Sequence, residues 1–169
     1  MSCVLIGGGS RSGKSRFALD YARRYTHPLA FIATAEAGDD EMRARVAAHQ
    51  AERGPEFITF EEPGNPAQVI EQEGSRFGAI VIDCLTLWLS NLLLADARNI
   101  PRETSRLLRT AQDCPATVLL VTNEVGCGIV PENALARRFR DLAGNLNQQA
   151  AASAREAYWM AFGIAIRLK

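Results

Sequence analysis

Apolar runs alternate with amphipathic segments along most of the chain. Two short apolar runs, at residues 3–6 and 29–33, predict strands, and helical spacing of apolar side chains at residues 15–24 predicts a helix between them. An unbroken apolar run at residues 79–83 that ends in an acid is typical of a strand buried on both faces of a sheet, and residues 116–124 predict another buried strand that ends in polar residues. This alternation predicts an α/β fold, a mostly parallel sheet with helices on both faces.

The segments between and after these runs complete the predicted pattern. Asp39 and Asp40 provide a capped, acidic start for a helix that ends near Glu52. A helix opened by Pro131 is predicted at residues 132–154, with an apolar stripe of Leu135, Phe139, Leu142 and Leu146. The other predicted elements are helices at residues 67–74, 85–94 and 102–112, a short strand at 57–60, loops at 61–66 and 96–101, and two short antiparallel strands separated at Gly163.

Composition places the chain among ordinary globular proteins. Its 169 residues are 47% hydrophobic and 22% charged, and no repeat or long linker divides them, so we expect a single domain over residues 1–169. Lys plus Arg and Asp plus Glu number 19 each, so the chain lacks the excess of positive charge that would indicate a nucleic acid partner. Polar residues interrupt the longest apolar stretch, and no signal peptide pattern opens the chain, so we expect a cytoplasmic protein without a membrane span. The cysteines are widely spaced, which favours free thiols.

The strongest chemical motif lies between the first predicted strand and the first predicted helix. It fits the pattern G-x-x-x-x-G-K-[ST] of a phosphate-binding loop (P-loop), in the structural context that this pattern requires. Backbone N–H groups of such a loop surround a phosphate, Lys14 reaches the outer phosphates, and Ser15 can bind Mg²⁺. The alternative is a glycine-rich turn without a ligand. The predicted nucleotide-binding residues here are Gly8, Gly9, Ser10, Arg11, Ser12, Gly13, Lys14 and Ser15.

Polar residues follow two of the buried strands, at the edge where parallel sheets bind ligands. Asp83 ends one apolar run, where the second acidic residue of such nucleotide sites holds the metal, directly or through water. Its alternative role is to cap the following helix. Thr122, Asn123 and Glu124 end the next run and are candidates for substrate binding, with turn formation as an equal alternative.

Four segments, in this order and in a chain of this length, resemble one enzyme family. They are GGGSRSGKS, IATAEAGDDEMRARVAAHQAERG, VTNEVGCGIVPEN and ARRFRDLAGNLNQQAA. From Val4 to its C-terminus, the chain is similar to the bifunctional adenosylcobinamide kinase/adenosylcobinamide-phosphate guanylyltransferase family of cobalamin biosynthesis. The resemblance implies that a nucleoside triphosphate, ATP or GTP, phosphorylates the aminopropanol hydroxyl of adenosylcobinamide, and that GMP is then transferred from GTP to this phosphate. It also implies a homo-oligomer, with a trimer as the expected state.

The resemblance also assigns residues. Guanylyl transfer in the family passes through GMP attached to a histidine, which is His49 in this chain; the pattern alone favours a surface or packing role for it. A neutral imidazole suits attack on the α-phosphorus of GTP, since its ordinary pKa is about 6.5. His27 lies outside the motif and inherits no role. The further nucleotide contacts that the resemblance implies are Ala33, Thr34, Ala35, Gln50, Ala51, Glu52, Arg53, Glu61 and Asp83.

Two other functions stay open at this point. One is a simpler P-loop kinase in which His49 has a structural role only, and the other is a non-enzymatic switch that binds a partner protein when nucleotide is bound. The sequence contains a single P-loop, although kinase chemistry occurs at the γ-phosphate and guanylyl transfer at the α-phosphate. We therefore predict that one nucleotide site serves both steps, with the nucleotide repositioned or the helix of His49 moved.

Overall fold

A seven-stranded sheet, counted over residues 3–35 and 53–169 that the structure describes, forms the centre of this computed structural model. In chain order its strands are β1 (Cys3–Gly8), β2 (Leu29–Ala33), β3 (Phe57–Glu61), β4 (Ala79–Asp83), β5 (Thr117–Asn123), β6 (Glu156–Ala161) and β7 (Ile164–Arg167). Across the sheet the order is β3-β2-β4-β5-β1-β6-β7. Neighbours from β3 to β6 pair in parallel and β7 pairs antiparallel with β6, so the predicted sheet is confirmed.

Helices cover both faces of the sheet, as predicted. Leu19 joins Val81 in the apolar core of one face, and Leu107 joins Ile82 in the core of the other. The first face packs against α1 and the second against α2 to α5. The described helices are α1 (Lys14–Ala22), α2 (Pro66–Glu73), α3 (Leu85–Asp96), α4 (Ile100–Asp113) and α5 (Ala134–Ser153), with 3₁₀ turns at Gly74–Arg76 and Ala97–Asn99.

The predicted loop at residues 96–101 is wrong. The chain stays helical there, because α3 continues to Asp96, a 3₁₀ turn follows, and α4 begins at Ile100. Asp96 Oδ1 accepts a hydrogen bond from the N–H of Arg98 at 3.1 Å, which caps the turn. Pro101 lies in the first turn of α4, where a missing N–H leaves no helical bond unmade. Residues typical of loops here act as helix caps.

The helix α5 begins later than predicted and buries less of its apolar stripe. Its first residue is Ala134, and Asn133 rather than Pro131 caps it, with Oδ1 accepting from the N–H of Ala136 at 3.1 Å. Leu146 is 2% exposed, whereas Leu135 is 52% exposed. The first turns of α5 therefore leave apolar surface uncovered.

The C-terminal hairpin confirms the break predicted at Gly163. Phe162 and Gly163 join β6 to β7 with φ angles of 54° and 79°, as in a two-residue turn that suits the twist of a hairpin. The N–H of Gly163 donates to the carbonyl of Ser12 at 3.1 Å, so this turn borders the P-loop. Among the helices in the described ranges, none is long and apolar enough to cross a membrane. The helix predicted from Asp39 to Glu52 lies outside those ranges.

Candidate functional site

The P-loop lies between β1 and α1, as predicted. Gly8 ends β1 with φ of 155°, and a Cβ atom there would lie 2.5 Å from the carbonyl oxygen of Met160 and 2.8 Å from Ser12 Oγ. Gly13 caps α1 with φ of 94°, a left-handed conformation that glycine adopts without strain. These two glycines therefore allow the loop to turn tightly from the strand into the helix.

Lys14 points back into the P-loop. Its side chain is buried, and Nζ donates to the carbonyl oxygen of Gly9 at 2.7 Å. Burial lowers the pKa of Lys14, and the negative charge of Asp83 opposes this shift. Ser12 Oγ is also buried, and it has no hydrogen-bond partner in the part of the chain that the structure describes. The loop thus holds a cation and a hydroxyl available to an anionic ligand.

Asp83 ends β4 next to this cation. Its carboxylate makes no hydrogen bond or ion pair with any residue in the ranges 3–35 and 53–169. No cluster of three or more His, Cys, Asp or Glu side chains occurs in those ranges either, so a closed metal site is absent from them. Mg²⁺ bound with nucleotides takes one or two carboxylate or hydroxyl ligands and several oxygens from phosphate and water. The free carboxylate of Asp83 and the hydroxyl of Ser15, in the first turn of α1, fit this mode.

Three of the residues assigned by resemblance lie beside Asp83. Ala33 in β2 is the register partner of both Glu61 in β3 and Asp83 in β4, so the three share one face of the sheet. Arg53 is buried on that face, with its guanidinium 3.6 Å above the centre of the Phe31 ring. Burial lowers the pKa of Arg53, against the opposing charges of Asp83 and Glu61. Its Nε has no partner within the described residues.

Thr34 occupies its expected place but has an internal role. Its hydroxyl accepts from the N–H of Cys84 at 2.7 Å and donates to the carbonyl of Cys84 at 2.8 Å. Asn91 Nδ2 in α3 donates to the carbonyls of Thr34, at 2.9 Å, and Pro63, at 3.0 Å. These bonds join the segments after β2 and β3 to the end of β4. Sequence reasoning missed Asn91 and Cys84, which belong to no motif.

The polar residues at the end of β5 also make internal hydrogen bonds. Thr122 Oγ1 donates to Asn147 Oδ1 at 2.7 Å, and Asn123 Nδ2 donates to Thr86 Oγ1 at 3.0 Å. Asn123 is the register partner of Gly8, so this bond lies beside the P-loop. The contacts of these side chains support the structural alternative more directly than substrate binding.

The remaining expected site residues divide by location. Ser10 and Arg11 are exposed on the P-loop, Gly9 and Ser15 are half-buried, and Ala35 follows Thr34. The structure thus brings together the P-loop, Thr34, Arg53, Glu61 and Asp83 at one edge of the sheet. The expected residues that lie outside the described ranges are His49, Gln50, Ala51 and Glu52.

Solved structures share this fold. The RadB recombinase superposes with a TM-score of 0.57 at 17% sequence identity, covering 94% of this chain and 73% of RadB. The flagellar accessory protein FlaH from Methanocaldococcus jannaschii gives a TM-score of 0.56 at 14% identity, covering 99% of this chain and 78% of FlaH. Both superpose over nearly the whole of this chain, which has a mostly parallel sheet with helices on both faces, so the predicted fold class is confirmed.

Sequence comparisons are more specific. The profile of the family described as "CobU: Cobinamide kinase / cobinamide phosphate guanyltransferase" matches residues 4–168. The "Bifunctional adenosylcobalamin biosynthesis protein CobP" of Pseudomonas aeruginosa is 41% identical over 166 residues, covering 98% of this chain and 96% of CobP. The "Bifunctional adenosylcobalamin biosynthesis protein CobU" of Salmonella typhimurium is 40% identical over 180 residues, covering 98% of this chain and 99% of CobU. The chain therefore belongs to the cobinamide kinase / cobinamide phosphate guanyltransferase family.

Proposed function

We propose that this protein is a bifunctional transferase of cobalamin biosynthesis. It phosphorylates the aminopropanol hydroxyl of adenosylcobinamide with ATP or GTP, and it then transfers GMP from GTP to the new phosphate, giving adenosylcobinamide-GDP and pyrophosphate. The observation that carries the proposal is a P-loop with a buried Lys14 beside Asp83, whose carboxylate has no hydrogen bond or ion pair within the described residues, in a chain of this family. The names of the relatives support the pair of reactions.

The P-loop binds the triphosphate in both reactions. Its backbone N–H groups and the N-terminus of α1 provide positive potential, and Lys14 exchanges its bond to the Gly9 carbonyl for a phosphate oxygen. The unpartnered hydroxyl of Ser12 donates a further hydrogen bond. Charge that develops on the phosphates is thereby stabilised without reorganisation of the loop.

Asp83 and Ser15 hold Mg²⁺ in this proposal. Mg²⁺ held by these two residues would neutralise charge on the phosphates and help to orient them for attack. Within the described residues the carboxylate of Asp83 accepts no hydrogen bond from the following helix, as an acid that only capped that helix would, and this supports the assignment.

Further nucleotide contacts come from the residues beside Asp83. The guanidinium of Arg53 is buried and its Nε has no hydrogen-bond partner among the described residues, so a nucleotide oxygen is a favourable acceptor for it. The side chain of Thr34 is occupied, so its contact is made by the backbone. The other contacts that we propose are Ala33, Ala35, Gln50, Ala51, Glu52 and Glu61.

His49 carries the second reaction through a covalent step. A neutral ring nitrogen attacks the α-phosphorus of GTP, a P–N bond forms, and the bond to the bridging oxygen breaks as pyrophosphate leaves. A phosphate oxygen of adenosylcobinamide phosphate then attacks the same phosphorus, and the P–N bond breaks to restore the histidine. One nucleotide site serves both reactions, with the nucleotide or the segment of His49 repositioned between them.

Labelled GTP tests the covalent step. The protein is incubated with GTP labelled at the α-phosphate, and the adduct is assayed for lability in acid and stability in base. The wild type is expected to form the adduct, and so is the control His27→Ala, which changes the chain's other histidine. His49→Ala is expected to form none. An active wild type without adduct, or an adduct retained in His49→Ala, would contradict this route.

The protein assembles as a homo-oligomer, with a trimer as the expected state. The exposed apolar side chains of Ile164, Ile166 and Leu168 at the β7 edge of the sheet support self-association. Light scattering after size exclusion checks this, and a monomer at assay concentration would contradict it.

A further inference from the structure

Nucleotide binding leaves unexplained four exposed apolar side chains in the segment between β5 and the first turn of α5. Val125, Ile129, Val130 and Leu135 are 38%, 97%, 61% and 52% exposed. They lie in the loop between β5 and α5 and in the first turn of α5. We call these four residues the β5–α5 apolar surface. Four exposed apolar side chains within residues 125–135 are unlike the singly scattered apolar residues of ordinary protein surface, and this grouping favours a binding site.

The loop that carries this surface is held in place by Glu124. The two carboxylate oxygens of Glu124 accept from the N–H groups of Gly126, at 2.6 Å, and Cys127, at 2.9 Å. Burial raises the pKa of Glu124, but these hydrogen bonds outweigh it and lower the pKa. The carboxylate therefore stays charged and ordered at neutral pH, and it fixes the start of the loop.

Two arginines of α5 hold the loop from its other side. Arg140 Nη2 donates to the carbonyl of Gly126 at 2.8 Å, and Arg137 Nη1 donates to the carbonyls of Pro131 and Glu132 at 2.9 and 2.6 Å. Polar backbone groups are thus satisfied within the protein while the apolar side chains face outward. A surface ordered before binding loses little conformational entropy when a ligand arrives.

The position of the loop relates it to the phosphoryl acceptor. The N–H of Glu124 donates to the carbonyl of Gly8 at 3.0 Å, so the loop starts directly beside the P-loop. An acceptor hydroxyl must approach the phosphorus to about 3–3.5 Å, and the rest of a large acceptor must then lie over elements that border the P-loop. The loop that carries the β5–α5 apolar surface begins at such a place, at Glu124.

We propose that the β5–α5 apolar surface binds the corrin ring of the acceptor substrate. The inference rests on the proposed function, because it takes a corrinoid as the acceptor. A corrin ring carries methyl groups and neutral amide arms, so it matches apolar side chains without requiring opposite charge. A second copy of the chain fits less well, since four side chains are far fewer than the roughly 20–30 residues per side of a standard interface.

The test compares the Ile129→Ser, Val130→Ser double variant with a control. The control is Leu94→Ser, which changes a 74% exposed apolar side chain on α3. Cobinamide binding is measured by equilibrium dialysis, using the absorbance of the corrinoid, and KM values are measured for both substrates. We expect the double variant to raise the dissociation constant and the KM of cobinamide about tenfold or more, from the lost burial of two aliphatic side chains. The KM of the nucleotide and the yield of labelled GMP adduct stay unchanged, as do all values for the control.

Three outcomes would overturn the proposal. They are an unchanged dissociation constant for cobinamide, an equal loss in the Leu94→Ser control, and a loss that coincides with a change in oligomeric state by light scattering. The last result would assign the surface to a second copy. If the wild type binds cobinamide but does not phosphorylate it, the proposed function fails, and the surface is judged by the dissociation constants alone.

Discussion

The hydroxyl of Thr34 offers a sharp test of how the site is built. Thr34→Val replaces the hydroxyl with a methyl group of similar size, at a position that is fully buried. The substitution removes two hydrogen bonds, one accepted from the N–H of Cys84 and one donated to its carbonyl. That carbonyl keeps a bond from the N–H of Trp88 at 3.1 Å, whereas the N–H of Cys84 loses its acceptor inside the protein.

These contacts set the expected cost of Thr34→Val. An orphaned buried donor costs about 1–3 kcal/mol, and the second bond contributes about 0.5–1.5 kcal/mol. We therefore expect the free energy of unfolding to fall by about 2–4 kcal/mol. Thr34→Ser keeps the hydroxyl and loses one methyl group, so it costs about 1 kcal/mol. Activity falls as well in the valine variant, because Cys84 directly follows Asp83.

Urea unfolding of the protein without nucleotide, followed by tryptophan fluorescence, measures both values. The reasoning is refuted if Thr34→Val unfolds within about 0.5 kcal/mol of the wild type, well below the cost of one unsatisfied donor. It is also refuted if Thr34→Ser is destabilised as much as Thr34→Val, since the methyl group would then carry the effect.

Four further substitutions test the metal site, the buried thiol and the P-loop. Asp83→Asn is expected to lower kcat for both transfers at least about 100-fold. Its free energy of unfolding in urea should stay within about 1 kcal/mol of the wild-type value. A near-normal kcat would contradict the metal role. Burial raises the pKa of the Cys84 thiol from 9.0 to about 11, so the stability due to its neutral form is complete below pH 9.0 and is lost as the pH rises through about 11. Urea unfolding across that range should show a smaller loss for Cys84→Ala than for the wild type, and equal losses would refute the assignment. Gly8→Ala places a Cβ atom 2.5 Å from the Met160 carbonyl oxygen and is expected to lower the free energy of unfolding by more than about 3 kcal/mol. A Cβ atom at Gly9 meets nothing within 4 Å, so thermal melting of the control Gly9→Ala should match that of the wild type. Equal melting temperatures of the two alanine variants would contradict the steric clash expected at Gly8.

The parallel strands and the P-loop could be predicted from the sequence because local pattern determines them. Strands buried on both faces leave unbroken apolar runs, so the predicted bounds at residues 29–33 and 79–83 agree with β2 and β4. The P-loop needs its residues in one continuous segment, so its motif is visible without any tertiary information. The location of Asp83 at the end of a buried strand follows from the same reasoning.

The connections within the site could not be predicted, because they join residues far apart in sequence. Thr34 and Cys84 are 50 positions apart, and Thr34 and Asn91 are 57 apart. Neither Cys84 nor Asn91 carries a local signal. The same limit applies to Leu135, whose helical spacing predicts burial although the side chain is 52% exposed.

The wrong prediction at residues 96–101 has a local cause. Asp, Asn and Pro favour loops, and they equally favour the first positions of helices. Asp96 and Pro101 act in the second way, so the chain passes from α3 to α4 with one 3₁₀ turn between them.

Turnover of the corrinoid substrate tests the central claim most directly. Purified protein is incubated with adenosylcobinamide, GTP and Mg²⁺, and the products are separated by chromatography and identified by mass spectrometry. The account predicts adenosylcobinamide phosphate first and then adenosylcobinamide-GDP with pyrophosphate. A corrinoid that stays unmodified, or that stops at the phosphate, would contradict it.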